Sequence, residues 1–247
     1  MSWYPIEIRH TPTETDEQSA YDDLYNNDKL VQRDSHYLWF LKRLLHYAPP
    51  PAKLLDISCG EGDFLNFAQK AGYDALGIDF SIAAVQKSYS RFHESISALT
   101  ANAQKLPFAN GSFDVVTNIG SLEHYFDPEE AVSEMVRVLR PGGKALVLLP
   151  NAYGIFGNVW HVLKHGEVFD DGQPLQRYAT RGSWEKLLKS QGLHTHKVLV
   201  LERPAPHTLH DFKLVLRRPH TLIRMIIGKF VPPNIGDLLV FVCSRDD

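Results

Sequence analysis

The residues best suited to chemistry crowd into one stretch, Leu54-Leu55-Asp56-Ile57-Ser58-Cys59-Gly60-Glu61-Gly62-Asp63-Phe64. A single acid, Asp56, stands inside an apolar run. Small residues follow at Ser58, Gly60 and Gly62, and Asp63 opens a helical pattern carried on by Phe64, Leu65, Phe67 and Ala68. This order predicts a buried strand, a tight turn and a helix N-terminus. Glycine lets a ligand approach the backbone closely and takes positive φ at little cost. The first N–H groups of a helix have no partner within it and face whatever lies in the turn. In open α/β sheets, such a turn at the carboxyl end of a strand is a nucleotide site.

Two ligand classes fit the turn. A dinucleotide needs G-x-G-x-x-G, and Leu65 stands where the third glycine belongs. S-adenosylmethionine carries no phosphate; its sulfonium and amino acid portion need an acid nearby, which Asp56 and Asp63 can supply. A bare β–turn–helix without ligand is the plain alternative. A second apolar run, Leu76-Gly77-Ile78-Asp79-Phe80-Ser81, also ends in an acid. Asp79 at the tip of a second strand is placed to accept hydrogen bonds from ribose hydroxyls, or else serves as a turn acid. Ser81 has the N-cap position of a helix from about 82 to 92.

Further along stand Asn102-Ala103-Gln104-Lys105-Leu106-Pro107-Phe108, Gly111-Ser112-Phe113-Asp114-Val115-Val116, Ser121-Leu122-Glu123-His124 and Arg140-Pro141-Gly142-Gly143. In this order and spacing the chain resembles the class I S-adenosylmethionine-dependent methyltransferases of the small-molecule type. The resemblance is close over residues 54 to 150 and looser on the flanks. It implies a Rossmann-like, doubly wound α/β fold with a seven-stranded, mostly parallel sheet, its last strand antiparallel, and helices on both faces. It implies cofactor contacts from Asp56, Ser58, Cys59, Gly60 and Gly62, from Asp79, Phe80 and Ser81, from Asn102, Ala103 and Gln104, and from Ile119, Gly120 and Ser121. Two departures stand out. Ser58 replaces the family's first motif glycine, and Asn102 replaces an acid that many relatives use toward adenine; an amide can also accept from or donate to the ring.

The elements that must position these groups follow from pattern. Strands are expected near 53–57, 74–79, 96–100, 113–118, 144–149, 195–202 and 237–244, with helices near 62–71, 82–93, 128–139 and 182–191 between most of them. Alternating strands and helices predict a mainly parallel sheet. A stripe of Val31, Tyr37, Leu38, Leu41, Leu44 and Leu45 predicts a helix that ends at Pro49-Pro50-Pro51; before residue 31 no strong periodicity appears. The 247 residues, 44 % apolar, suit one domain. Its expected parts are a helical cap over 1–50, a cofactor core over 51–150, and lid insertions over 151–180 and 203–236. The net charge of −3 lacks the basic footprint of a nucleic-acid partner. Cys59 and Cys243 form no metal or disulfide pattern, and no leader or spanning run appears. Both facts suit a cytoplasmic setting.

On the acceptor side, His124 lies just past the fourth core strand. Its pKa range suits removal of a proton from a hydroxyl or amine; capping or packing is the alternative. Tyr21 and Tyr25, by the resemblance, reach the ligand or the acceptor, unless they pack the N-terminal segment onto the domain. In 151–180, Tyr153, Phe156 and Trp160 suggest a partly apolar acceptor. His161 and His165 share a helix face, but no third ligand accompanies them and no metal is expected. His161 is a candidate acceptor contact or base, with plain packing as the alternative, and Arg177 a partner for an acceptor acid or a turn cap. Residues 203 to 236 mix prolines, basic and apolar residues, as a lid, a dimer contact or a weak membrane-surface contact would. The expected chemistry is methyl transfer to a small molecule at O or N. The alternatives are a quinone or other lipid-linked acceptor, a nicotinamide oxidoreductase, or a non-catalytic nucleotide-binding protein.

Overall fold

The computed structural model describes residues 5–30, 34–201 and 227–245. In chain order the elements are β1 (Ile6–Arg9), α1 (Glu14–Asn26), α2 (Asp34–Tyr47), β2 (Lys53–Ile57), α3 (Asp63–Lys70), β3 (Asp74–Asp79), α4 (Ile82–Phe92), β4 (Ser97–Thr100) and β5 (Phe113–Ile119). They continue with α5 (Pro128–Val138), β6 (Leu139–Pro150), α6 (Asn158–His165), β7 (Leu175–Tyr178), α7 (Arg181–Ser190), β8 (Leu193–Val200) and β9 (Leu238–Arg245). Four helices begin at a side-chain oxygen that accepts from the backbone N–H three residues on, supplied by Thr13, Ser81, Asp127 and Thr180.

Seven strands form one sheet in the order β4-β3-β2-β5-β6-β9-β8. The strands from β4 to β6 are parallel, and β9 enters antiparallel between β6 and β8. Both the doubly wound fold and the antiparallel last strand expected from the sequence are present. Alternation along β2 divides the core. Leu55 and Ile57 join α5 and α7 on one face, around Met135 and Trp184. Leu54 joins α2, α3 and α4 on the other, around Phe40, Leu44, Phe64 and Val85. The order reverses at β2, between β3 and β5, so their carboxyl ends open a crevice there.

Three features escape the sequence pattern. A two-stranded sheet pairs β1 with β7 antiparallel, Ile6 opposite Tyr178. Helix α1 occupies a stretch with no strong apolar stripe, because it is held largely by polar contacts to the loops beneath it. Strand β6 starts at Leu139 and runs through Arg140-Pro141-Gly142-Gly143, with a register shift opposite Phe113 and Val115. The expected 203–236 insertion lies, over 202–226, outside the described residues. Among the described residues no helix is long and apolar enough to cross a membrane.

Candidate functional site

At the carboxyl ends of β2, β3 and β5 lie two adjoining cavities of about 390 and 590 Å³. They share Tyr37, Ile119, Gly120, His124 and Gln173. The turn after β2 shapes the first. Ser58, Gly60 and Gly62 all have positive φ, at 62°, 54° and 82°. A non-glycine residue there costs about 1–2 kcal/mol, a strain that Ser58 must carry. Ser58 is held by its hydroxyl, 2.7 Å from the Tyr125 hydroxyl, which in turn accepts from Asn118 Nδ2 at 2.6 Å. Tyr125→Phe removes this brace. We expect a loss of about 1–2 kcal/mol of stability, read as a lower urea midpoint at unchanged m-value, with several-fold weaker S-adenosylhomocysteine binding. An unchanged midpoint would show that the brace does not hold the turn.

The other small residues of the turn have separate duties. A Cβ on Gly60 would stand 3.0 Å from the Tyr25 hydroxyl, so the backbone there is open to the cavity and to Tyr25. Gly62 does not line either cavity; a Cβ on it would lie 2.8 Å from Ile96 Cδ1 and 3.2 Å from Ser88 Cβ of α4, so it serves the packing of α3 on α4. The Cys59 thiol packs over Gly77, whose absent Cβ would otherwise lie 2.7 Å from the sulfur. Burial pushes that thiol well above its ordinary pKa, outweighing any help from the helix N-terminus, so Cys59 is no nucleophile.

Three acids were expected here, and their surroundings differ. Asp79 accepts from Gly60 N–H at 2.8 Å and Ser81 N–H at 2.9 Å, one on each oxygen. Burial pushes its carboxyl up to about 6 against those two bonds. Asp56 accepts from Thr117 Oγ1 at 2.7 Å, and burial pushes it up to about 7. Asp63 corrects the expectation of an acid awaiting a cation: both its oxygens already hold Arg91, at 2.7 and 2.8 Å, and Arg91 also reaches Glu61.

Helix α1 lies across the mouth of this cavity. Gln18 Nε2 donates to Phe80 O at 2.8 Å, and Asp22 accepts from Ser81 Oγ and Ala83 N–H. Ser81 is therefore a buried cap that joins α1 to α4 and does not face the cavity. Phe80, Ala103 and Gln104 line it. Asn102 lines it too, its amide donating to Glu14 while its oxygen accepts from Gln104 N–H. Tyr21 and Tyr25 line the same cavity, with Tyr21 hydroxyl to Gln173 Oε1 at 3.4 Å. Glu14, Glu17 and Tyr125 are lining residues that the sequence did not single out.

The second cavity reaches from Ile119 and Gly120 toward α6. Ser121 lines only the first. His124 is buried, and its Nδ1 lies 2.6 Å from Leu175 O. Since a carbonyl only accepts, Nδ1 carries the proton and Nε2 presents a lone pair. Burial lowers the pKa of this ring, so it stays neutral. Glu123 Oε1 is 3.8 Å and Asp171 Oδ2 4.0 Å from that Nε2. Phe156, Trp160, His161 and Phe169 line the outer wall, and the His161 ring stacks on His165 at 4.5 Å. Tyr153 is 61 % exposed and lines neither cavity. Arg177 is likewise committed elsewhere: its guanidinium donates to Glu7 at 2.8 Å and to the carbonyls of Tyr125 and Phe126, tying β7 to β1 and to the turn. Among the described residues no group of three His, Cys, Asp or Glu could hold a metal.

The charges decide which ligand suits the first cavity. Asp56, Asp79, Glu14, Glu17 and Asp34 line it against Lys29, while Arg91 is neutralised by Asp63 and Glu61, so acids outnumber the remaining cation. A pyrophosphate would be repelled there, and a cation favoured. Asp79 at a strand tip and the open backbone at Gly60 suit a ribose and an amino acid moiety.

Residues 55–147 match a family described as a methyltransferase domain. Demethylmenaquinone methyltransferase of Renibacterium salmoninarum is 37 % identical over 40 % of this chain and 42 % of its own length. The enzyme of the same name from Thermus thermophilus is 35 % identical over 45 % of this chain and 54 % of its own. The chain thus spans about half the length of these curated relatives. Burkholderia thailandensis 1,6-didemethyltoxoflavin-N1-methyltransferase, solved with 1,6-didemethyltoxoflavin and S-adenosylhomocysteine, superposes with a TM-score of 0.63. It is 15 % identical, with 99 % of this chain and 95 % of that one covered.

Proposed function

We propose methyl transfer from S-adenosylmethionine to a small-molecule acceptor as the function of this chain, whose residues 55–147 match a family described as a methyltransferase domain. The observation that carries this reading is the acid-lined cavity at the strand reversal, with Asp79 fixed by the N–H groups of Gly60 and Ser81. When bound, S-adenosylmethionine supplies a methyl on a sulfonium, already activated toward an aligned nucleophile.

The chain's own residues would do the remainder. Asp79 accepts from the ribose hydroxyls, and Asn102, Ala103 and Gln104 border the adenine. Asp56, Ser58, Gly60 and Gly120 surround the amino acid portion. Residues 1–50 act as a cap, with α1 closing the mouth and Tyr21 and Tyr25 excluding water. The 151–180 segment walls the acceptor. His124 Nε2, neutral and with a free lone pair, can take a proton from an acceptor hydroxyl or ammonium. Alignment and exclusion of water supply much of the barrier reduction. The names of the curated relatives favour, as a second reading, a quinone-like ring as acceptor in the aromatic cavity.

Calorimetry on the purified chain tests the cofactor. We expect S-adenosylhomocysteine to bind at least tenfold more tightly than NAD. Selective binding of NAD would reject the reading, and binding of neither would favour a non-catalytic nucleotide-binding protein.

A further inference from the structure

The second cavity carries a chemical signature of its own. Glu123 is 5 % exposed and lines it, yet its Oε2 is buried without a hydrogen-bond partner. Its Oε1 lies 3.8 Å from where a Cβ on Gly120 would stand, and Gly120 borders both cavities. The carboxyl is therefore at the junction where donor and acceptor must meet. Two more buried polar atoms on the same wall lack partners, Gln176 Oε1 and Asn158 Nδ2. Buried polar groups in proteins are nearly always satisfied, so a cluster of orphans lining one cavity points to a polar ligand. The two orphaned oxygens accept; they call for N–H or O–H donors on that ligand.

Charge narrows the class. Asp171 adds a second carboxyl beside Glu123, and among the described residues no lysine or arginine lines this cavity. An anionic acceptor would find no counter-charge there. The rest of the wall is aromatic, with Phe156, Trp160, Phe169 and Tyr178. Aromatic faces and carboxylates together stabilise a cation on an apolar body.

We propose that this cavity selects a primary or secondary amine carried on an aromatic or apolar body, with the ammonium held by Glu123 and Asp171. The inference rests on the methyltransferase reading and narrows its acceptor. A bound ammonium would hold Glu123 as its carboxylate, and because burial disfavours that ionised form, the carboxylate can take the ammonium proton, leaving a neutral amine beside a protonated Glu123 at the junction.

Titration of 2-phenylethylamine, with 2-phenylethanol, hydroquinone and 3-phenylpropionate as matched neutral and anionic probes, tests this with and without saturating S-adenosylhomocysteine. We expect the amine to bind at least tenfold more tightly than each other probe. Glu123→Gln should remove that preference while leaving S-adenosylhomocysteine affinity within twofold, which also shows that the variant is folded. Asp171→Asn should weaken amine binding by a smaller factor. Equal binding of amine and alcohol, preference for the hydroquinone or the anion, or an unchanged preference in Glu123→Gln would each overturn the proposal. If S-adenosylhomocysteine fails to bind while the amine is still selected, the cofactor reading fails and the amine site stands.

Discussion

Replacing Asp79 by alanine should weaken S-adenosylhomocysteine binding about a hundredfold, to be measured by calorimetry on a variant whose circular dichroism matches the parent. Two losses add. The ribose loses a carboxylate acceptor, and hydrogen bonds to a charged group contribute about 1.5–3 kcal/mol. The turn loses the oxygens that hold Gly60 N–H at 2.8 Å and Ser81 N–H at 2.9 Å. Freed from Asp79, the residue that must keep φ near 54° no longer has its amide anchored. Asp79→Asn is the sharper control. One amide oxygen replaces two carboxylate oxygens, so one of the two backbone N–H groups would face an NH₂ donor. We therefore expect at most partial recovery. A hundredfold change corresponds to about 2.7 kcal/mol. Affinity within threefold of the parent would show that the ribose lies elsewhere.

The position of Asp79 at the strand tip was readable in the sequence because it depends on neighbours along the chain. A strand ending in an acid, followed by a cap residue, fixes Asp79 near the crevice whatever the distant contacts are. The same holds for the doubly wound sheet, since buried parallel strands and amphipathic helices each announce their own period. What stayed hidden depends on pairings far apart in sequence. Arg177 looks like a free cation until β7 is laid beside β1, which brings Glu7 to it. Tyr125 has no local signature, yet it braces Ser58 across 67 residues. Asp63 reads as an open acid at a helix start, and only the approach of α4 to α3 supplies Arg91. Helix α1 was missed for a related reason. It carries little apolar stripe and is fastened by Glu14, Gln18 and Asp22 to loops that a single-segment pattern cannot show. Glu123 appeared as half of a Glu-His pair; its orphaned oxygen is a property of the assembled cavity.

Those buried acids set the second large expectation, that the ligand-free chain loses stability as pH rises from 6.5 to 8.5. Burial pushes Asp56 and Glu17 up to about 7 and Glu123 up to about 8. Unfolded, the same groups titrate near 3.9 to 4.3. Through this window the folded chain binds protons that the unfolded chain has already released. Stability must then fall with rising pH, because it rises only where the unfolded state binds more protons. His124 acts with the opposite sign: its lowered pKa costs stability as pH falls below its ordinary 6.5, so the window starts above that point. Three partly titrating groups amount to about 2–4 kcal/mol. For a chain of this size that is a fall of roughly 5–10 °C in Tm. Asp56→Asn and Glu123→Gln should each flatten the slope, since an amide has no proton to lose. A Tm that stays level or rises over the window would refute the carboxyl environments described above. The same acids explain why the site should prefer a cation. An ionised, buried carboxyl is costly until a positive charge joins it. Sinefungin, with an ammonium in place of the sulfonium, should therefore stabilise the chain more at pH 8.5 than at 6.5. Neutral-sulfur S-adenosylhomocysteine should show the smaller difference.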